Sequence, residues 1–291
     1  MPVPRRFLRR ILIALGLCLL TGIGGTIGAG YILARPANRP VGPPPSDLGA
    51  VDVSIPSTSG TTLAGWFVQG RPGTGGILLL HGIHADRWAL VSRARFLHQA
   101  GYSVLMIDFQ AHGQSPGKHI TFGYLESRDV EAAAAELGRR LPGEPLAAIG
   151  ISMGGAAIVI AEHRLPFKTV VLESVYPTIE SAMKARLVEN LGPAGGLLAP
   201  LLLVQLHPRL GIWPRQLRPI EHVADLGVPV LIMSGSRDNH PTPAEARALF
   251  ERAHEPKEFW EVPGAAHVDL HEVAPVEYER KVDALFERYL H

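Results

Sequence analysis

The stretch Gly150-Ile-Ser152-Met-Gly154-Gly155 sets one serine among small residues, directly after an apolar run and before the helix-compatible run Ala156 to Ala161. A strand, a tight turn and a helix in that order push the serine side chain toward solvent, and only glycine-sized neighbours fit at 150 and 154. A serine hydroxyl is a poor nucleophile at neutral pH, so it needs a general base and a third group to orient that base. His267 suits the base, because Val262-Pro-Gly-Ala-Ala-His267 is a loop leaving the β-like run KEFWEV near the end of the chain. Asp238 suits the orienting acid, because Gly235-Ser-Arg-Asp238 follows the apolar run PVLIMS. The competing roles are a surface histidine, one of 13 in the chain, and a helix cap before Pro243.

Acyl transfer also requires backbone N–H groups aimed at the developing oxyanion. Leu80-His81-Gly82-Ile83 follows an apolar run, and the N–H groups of Ile83 and Met153 are the expected donors. His81, before the glycine, suits loop bracing better than catalysis. His84, His112 and His240 are further candidates for the pocket.

These residues need a scaffold of buried strands. The runs GILLL (76–80), YSVLMI (102–107), LAAIGI (146–151), KTVVLE (168–173) and PVLIMS (229–234) lack the alternation of a half-exposed sheet. Helix-like stretches lie between them, at Trp88 to His98, Leu125 to Leu141 and Pro243 to Ala253, so βαβ units and a mostly parallel sheet with helices on both faces are expected. Val51 to Ile55 and Thr61 to Val68 flank a Ser/Gly turn and predict an opening antiparallel hairpin. The interval 177–226 is too long for a simple connection and reads as a small helical insert, or lid. Its run Leu197 to Val204 suits either apolar walls over the serine or burial against the sheet.

The chain of 291 residues is 46% apolar and 19% charged, with a net charge of +1, which describes a globular domain with a generous core. No basic stripe is available to neutralise a row of phosphates, so nucleic acid is not an expected partner. Cys18 is the single cysteine, and it lies in the N-terminal apolar run. A disulfide, a zinc site and a cysteine nucleophile are therefore not expected in the rest of the chain, and neither a cofactor nor a metal is implied.

Arg5, Arg6, Arg9 and Arg10 precede an uncharged run from Ile11 to Ala34. At ~1.5 Å per residue that run can cross a hydrocarbon layer ~30 Å thick with some tilt. It reads as an uncleaved signal-anchor, a transmembrane helix over 11–34 behind a cytoplasmic basic segment, 1–10. The arginine bias then leaves the catalytic domain extracytoplasmic. A cleaved signal peptide ending near Ala29 and Gly30 is the alternative. RPANRPVGPPPSD (35–47) reads as a stiff Pro-rich linker, and 48–291 as the catalytic domain.

Taken together, LLLHG (78–82), DFQAHGQS (108–115), GISMGG (150–155), GSRD (235–238) and GAAH (264–267) resemble the α/β-hydrolase superfamily along roughly Val51 to Leu290. Within it the chain is similar to the bacterial Bem46-like and serine-aminopeptidase-like branch. The resemblance implies Ser152 as nucleophile, Asp238 as acid, His267 as base, and Ile83 with Met153 as oxyanion donors. Many members read D-x-R-G-x-G-x-S where this chain has Gln110 and Ala111, in a segment that normally braces the loops. The expected function is a serine hydrolase cleaving a carboxylic ester, with a small-molecule or lipid-like substrate and the membrane as its other partner. A thioesterase or peptidase using the same triad, or a non-enzymatic envelope scaffold, are the alternatives.

Overall fold

The computed structural model describes residues 5–267 and 269–290. The opening hairpin forms as expected, with β1 (Val51–Pro56) antiparallel to β2 (Thr62–Val68) and Val53 opposite Gly65. The five apolar runs become β3 (Gly76–Leu80), β4 (Ser103–Ile107), β5 (Leu146–Ile151), β6 (Phe167–Glu173) and β7 (Val230–Gly235), and KEFWEV becomes β8 (Lys257–Val262). They join in one sheet ordered β8-β7-β6-β5-β3-β4-β2-β1, in which only the pairings of β2 are antiparallel.

Continuous apolarity in these strands reflects burial on both faces. Ile77 and Leu79 point into one core layer and Leu78 and Leu80 into the other, as the period of a strand requires. One layer is covered by α2 (Val91–Ala100), the single turn α10 (Leu270–Val273) and α11 (Pro275–Leu290). On α11 the buried residues Tyr278, Val282, Leu285 and Phe286 recur at helical spacing, so one face of that helix meets the sheet. The other layer is covered by α3 (Tyr124–Arg140), α4 (Met153–Val159) and α9 (Pro243–Arg252). The chain order reverses at β3, between β4 and β5, and a crevice opens there beyond the carboxyl ends of the strands.

Between β6 and β7 the insert is helical throughout its regular elements: α5 (Ile179–Leu191), α6 (Ala199–Leu203), α7 (Leu206–Leu210) and α8 (Pro219–His222), with short 3-10 turns. Thr178 caps α5, its hydroxyl accepting from the Ser181 N–H at 3.1 Å.

The N-terminal helix α1 (Arg5–Leu33) has 29 residues. Among the described residues no helix is long and apolar enough to cross a membrane. The side chains of Leu15, Cys18, Leu19, Leu20 and Ile23, which belong to the expected 11–34 span, lie outside those described. The last turns of α1 are docked on the insert. Gln205 Nε2 donates to the Thr26 carbonyl at 3.2 Å and Arg209 Nη2 to the Ile27 carbonyl at 2.7 Å.

The segment after α1, read from its prolines as a stiff linker, also hydrogen-bonds to the domain. The Ala37 N–H donates to the Ala111 carbonyl at 2.7 Å, the Arg39 N–H to Gly113 at 2.9 Å, and Val41 is buried. Proline fixes the local extended backbone, but the hydrogen-bonding groups between the prolines still find partners on the domain.

Candidate active site

Ser152 sits at the tight turn between β5 and α4 with φ 51° and ψ −113°, outside the regions comfortable for a side-chain-bearing residue. Close packing enforces the turn. A Cβ on Gly150 would lie 2.6 Å from Gly155 Cα, and one on Gly154 would lie 2.6 Å from the Leu80 carbonyl oxygen, so both positions require glycine. The Ser152 N–H is anchored to the Glu173 carbonyl at 2.7 Å. Strain of this kind costs on the order of 1–3 kcal/mol and persists only where the surroundings enforce it.

Asp238 and His267 lie on the loops after β7 and β8. The two loops are zipped together: Ser236 N–H donates to the Val262 carbonyl at 3.0 Å, Arg237 N–H to Ala265 at 2.8 Å, and Gly264 N–H to Ser236 Oγ at 2.8 Å. This places His267 Nδ1 3.2 Å from Asp238 Oδ1 and 3.1 Å from Oδ2. Asp238 is 1% exposed. Its Oδ1 also accepts from the His240 N–H at 2.7 Å. A buried carboxylate aimed at one ring nitrogen fixes the tautomer that leaves the other nitrogen free to take a proton.

Ser152 and His267 line the same cleft, which holds roughly 650 Å³ of empty space, solvent at its mouth included. No hydrogen bond joins their side chains. Ile83 and Met153 line the cleft as well, and their N–H groups have no protein acceptor among the described hydrogen bonds. Met153 opens α4, where helix geometry leaves the first amides without partners.

The sequence candidates outside this group separate by role. His81 is fully buried, its Nδ1 donating to the Gly82 carbonyl at 2.7 Å while its Nε2 accepts from the Phe109 N–H at 3.1 Å. Burial, followed by the nearby His112, holds its pKa well below the ordinary histidine range, so it braces the loop as a neutral ring. His112 is buried away from the cleft lining, with Nδ1 on the Gln110 carbonyl at 2.9 Å. His84 and His240 line the cleft.

The altered segment at Gln110 and Ala111 still braces its loop. Gln110 Nε2 donates to Glu126 Oε1 at 2.7 Å and to the His119 carbonyl at 2.8 Å. Ala111 takes φ 59°, the left-handed conformation, where many α/β hydrolases carry glycine.

The roof of the cleft comes from residues other than the Leu197 to Val204 run, for which a roof and burial were both open. Its apolar wall comes from Ile179, Ala182 and Met183 of α5 and from Leu33 at the end of α1. The Leu197 to Val204 run does not reach Ser152: Leu202 is buried with Met183, Leu187 and Ala199, and Leu197 and Val204 are exposed. Two further features escape sequence reading because they join distant segments. His240 Nε2 meets Glu189 Oε2 of α5 at 2.8 Å, tying the insert to the acid loop. Behind the histidine loop, Arg93 Nη2 bonds Glu173 Oε2 at 2.6 Å and Asp269 Oδ1 at 2.8 Å. Burial alone would raise the Asp269 carboxyl, but the Arg93 charge holds it below its ordinary range. Among the described residues no cluster of three or more His, Cys, Asp or Glu is arranged to hold a metal ion.

This sheet order, with a strained serine elbow after β5, is that of an α/β hydrolase. Residues 72–218 match the family described as serine aminopeptidase, S33, and the chain belongs to that family of hydrolases. It is similar to an uncharacterised protein of Mycobacterium tuberculosis, 28% identical over 238 residues that cover 78% of this chain and 77% of that one. It is also similar to the α/β-hydrolase domain-containing protein WAV2 of Arabidopsis thaliana, 25% identical over 282 residues covering 86% and 88% of the two chains. Among solved structures, the Pyrococcus furiosus esterase Pf2001 superposes with a TM-score of 0.72 at 25% identity, covering 88% of this chain and all of that one.

Proposed function

We propose that the chain is a carboxylic ester hydrolase working through an acyl-enzyme on Ser152. The observation that carries this reading is the buried Asp238 carboxylate 3.1 Å from Nδ1 of His267, which lines one cleft with the strained Ser152. Ser152 Oγ adds to the acyl carbonyl as His267 Nε2 accepts its proton, and the N–H groups of Ile83 and Met153 stabilise the oxyanion. The C–O bond to the alcohol breaks, and His267 returns the proton to the departing alcohol oxygen. Water, deprotonated by His267, then releases the carboxylic acid and restores Ser152.

The apolar wall of Leu33, Ile179, Ala182 and Met183 favours an acyl chain. Each methylene it buries contributes up to about 0.8 kcal/mol, so kcat/KM for p-nitrophenyl esters rises from acetate to octanoate. Ala182→Phe, which adds a ring from a half-buried position on α5, lowers the octanoate-to-acetate ratio. Equal rates on acetate and octanoate in the wild type would exclude an apolar acyl site. A thioester or an aminoacyl amide cleaved faster than every ester would move the assignment to a thioesterase or a peptidase.

We further propose that α1 is a membrane anchor and that the catalytic domain lies outside the cytoplasm. The support is an uncharged run from Ile11 to Ala34 behind Arg5, Arg6, Arg9 and Arg10, with Ile11, Leu12 and Ile13 exposed at consecutive positions and so on different faces of the helix. A reporter fused after residue 40 is then active outside the cytoplasm, and the full chain stays with membranes through an alkaline carbonate wash. Recovery of a shortened, freely soluble chain would favour a cleaved signal peptide.

A further inference from the structure

The face of α5 that roofs the cleft changes character along its length. Ile179, Ala182 and Met183 are apolar, and Arg186, one turn further on, lines the same cleft from an exposed position. Among the described residues the Arg186 guanidinium has no carboxylate partner. Glu189, three residues on and within reach on a helix, is engaged by His240 instead, at 2.8 Å. Some surface arginines are paired with carboxylates, Arg218 with Glu180 and Glu221, Arg139 with Glu136, and Arg280 with Glu277, while Arg164, Arg215 and Arg252 have none among the described residues but lie away from the cleft lining. No Asp or Glu lines the cleft among the described residues. Arg35, two residues beyond the Leu33 wall, also has no described acidic partner. Burial first, then the charges of His112, Arg186 and Arg35, lower the pKa of His84 in the cleft lining. An acyl chain therefore enters a slot whose rim carries uncompensated positive charge.

We infer that the substrate is an acyl ester whose alcohol carries a phosphate, with the acyl chain against Leu33, Ala182 and Met183 and the phosphate bound by Arg186. This rests on the ester-hydrolase reading above and specifies its substrate class. A guanidinium presents paired N–H donors that match phosphate oxygens, and such charge-assisted bonds are roughly twice as strong as neutral ones. The phosphate source is either a lipid in a membrane or a soluble phosphorylated ester.

The test uses the full chain with two probes of equal acyl length, octanoyl glycerol phosphate and octanoyl glycerol. The wild type is expected to favour the phosphate ester in kcat/KM, chiefly through KM. Arg186→Gln is expected to lower that preference about 10-fold, equivalent to about 1.4 kcal/mol, and Arg186→Glu to reverse it. The neutral ester serves as the internal reference for a folded active site. Equal preference in wild type and Arg186→Gln, with both probes cleaved, would overturn the phosphate assignment while leaving the ester reading intact. Failure of the wild type to cleave either probe or any p-nitrophenyl ester would instead overturn the ester reading. Presenting the oleoyl phosphate ester in phosphatidylcholine vesicles distinguishes the sources: faster cleavage there than of the monomeric octanoyl probe assigns the phosphate to a membrane lipid, and the reverse assigns it to a soluble ester.

Discussion

Ser152→Ala is expected to reduce kcat by roughly four to six orders of magnitude, because it removes the attacking oxygen and leaves only the oxyanion donors and substrate binding. The fold should survive. Alanine keeps the Cβ that the elbow already accommodates at φ 51°, and the Ser152 hydroxyl makes no hydrogen bond to the described residues, so no buried partner is orphaned. The change in unfolding free energy is then within about 0.5 kcal/mol, measurable by denaturant titration beside the ester assay. An unfolded variant would make the lost activity uninformative, and a folded, fully active one would remove Ser152 from the chemistry.

Asp238→Asn is expected to lower kcat by about 10⁴-fold with the substrate KM little changed. The reason is specific to the geometry around Oδ1. An asparagine oxygen at the Oδ1 position still accepts from the His240 N–H at 2.7 Å, which puts the amide nitrogen at the Oδ2 position, 3.1 Å from His267 Nδ1. A donor facing Nδ1 selects the tautomer with the proton on Nε2, and that nitrogen can no longer accept from Ser152. Activity near the wild-type level would assign the orienting role to another acid. Asp269 would then be the first to test, although its carboxylate is already held by Arg93.

Local chemistry was legible in the sequence wherever neighbours along the chain determine structure. The runs at 76–80 and 146–151 became β3 and β5 without a shift in either end, because residues buried on both faces leave no polar alternation to blur the boundaries. The glycines around Ser152 were readable for the same reason: the contacts that demand them lie largely within the turn and the strand beside it. What escaped was contact between distant segments. Leu33 reaches the cleft only because α1 docks on the insert through Gln205 and Arg209, and the Pro-rich segment packs only because Ala111 and Gly113 offer carbonyls. In the insert, the composition of the Leu197 to Val204 run suited a roof and burial equally. Met183 and Ile179 of α5 form the roof, because α5 follows β6 directly and passes over the serine first. The pairing of His240 with Glu189 across 51 residues has no periodicity that a sequence could reveal.

The central claim is that Ser152 is the group that becomes acylated. The most direct measurement treats the purified wild-type chain with a fluorophosphonate, digests it and locates the adduct by mass spectrometry. The expected result is one adduct, on the peptide containing Ser152, formed in step with loss of esterase activity and absent from Ser152→Ala. An adduct on another residue, or full esterase activity with Ser152 unmodified, would contradict the account.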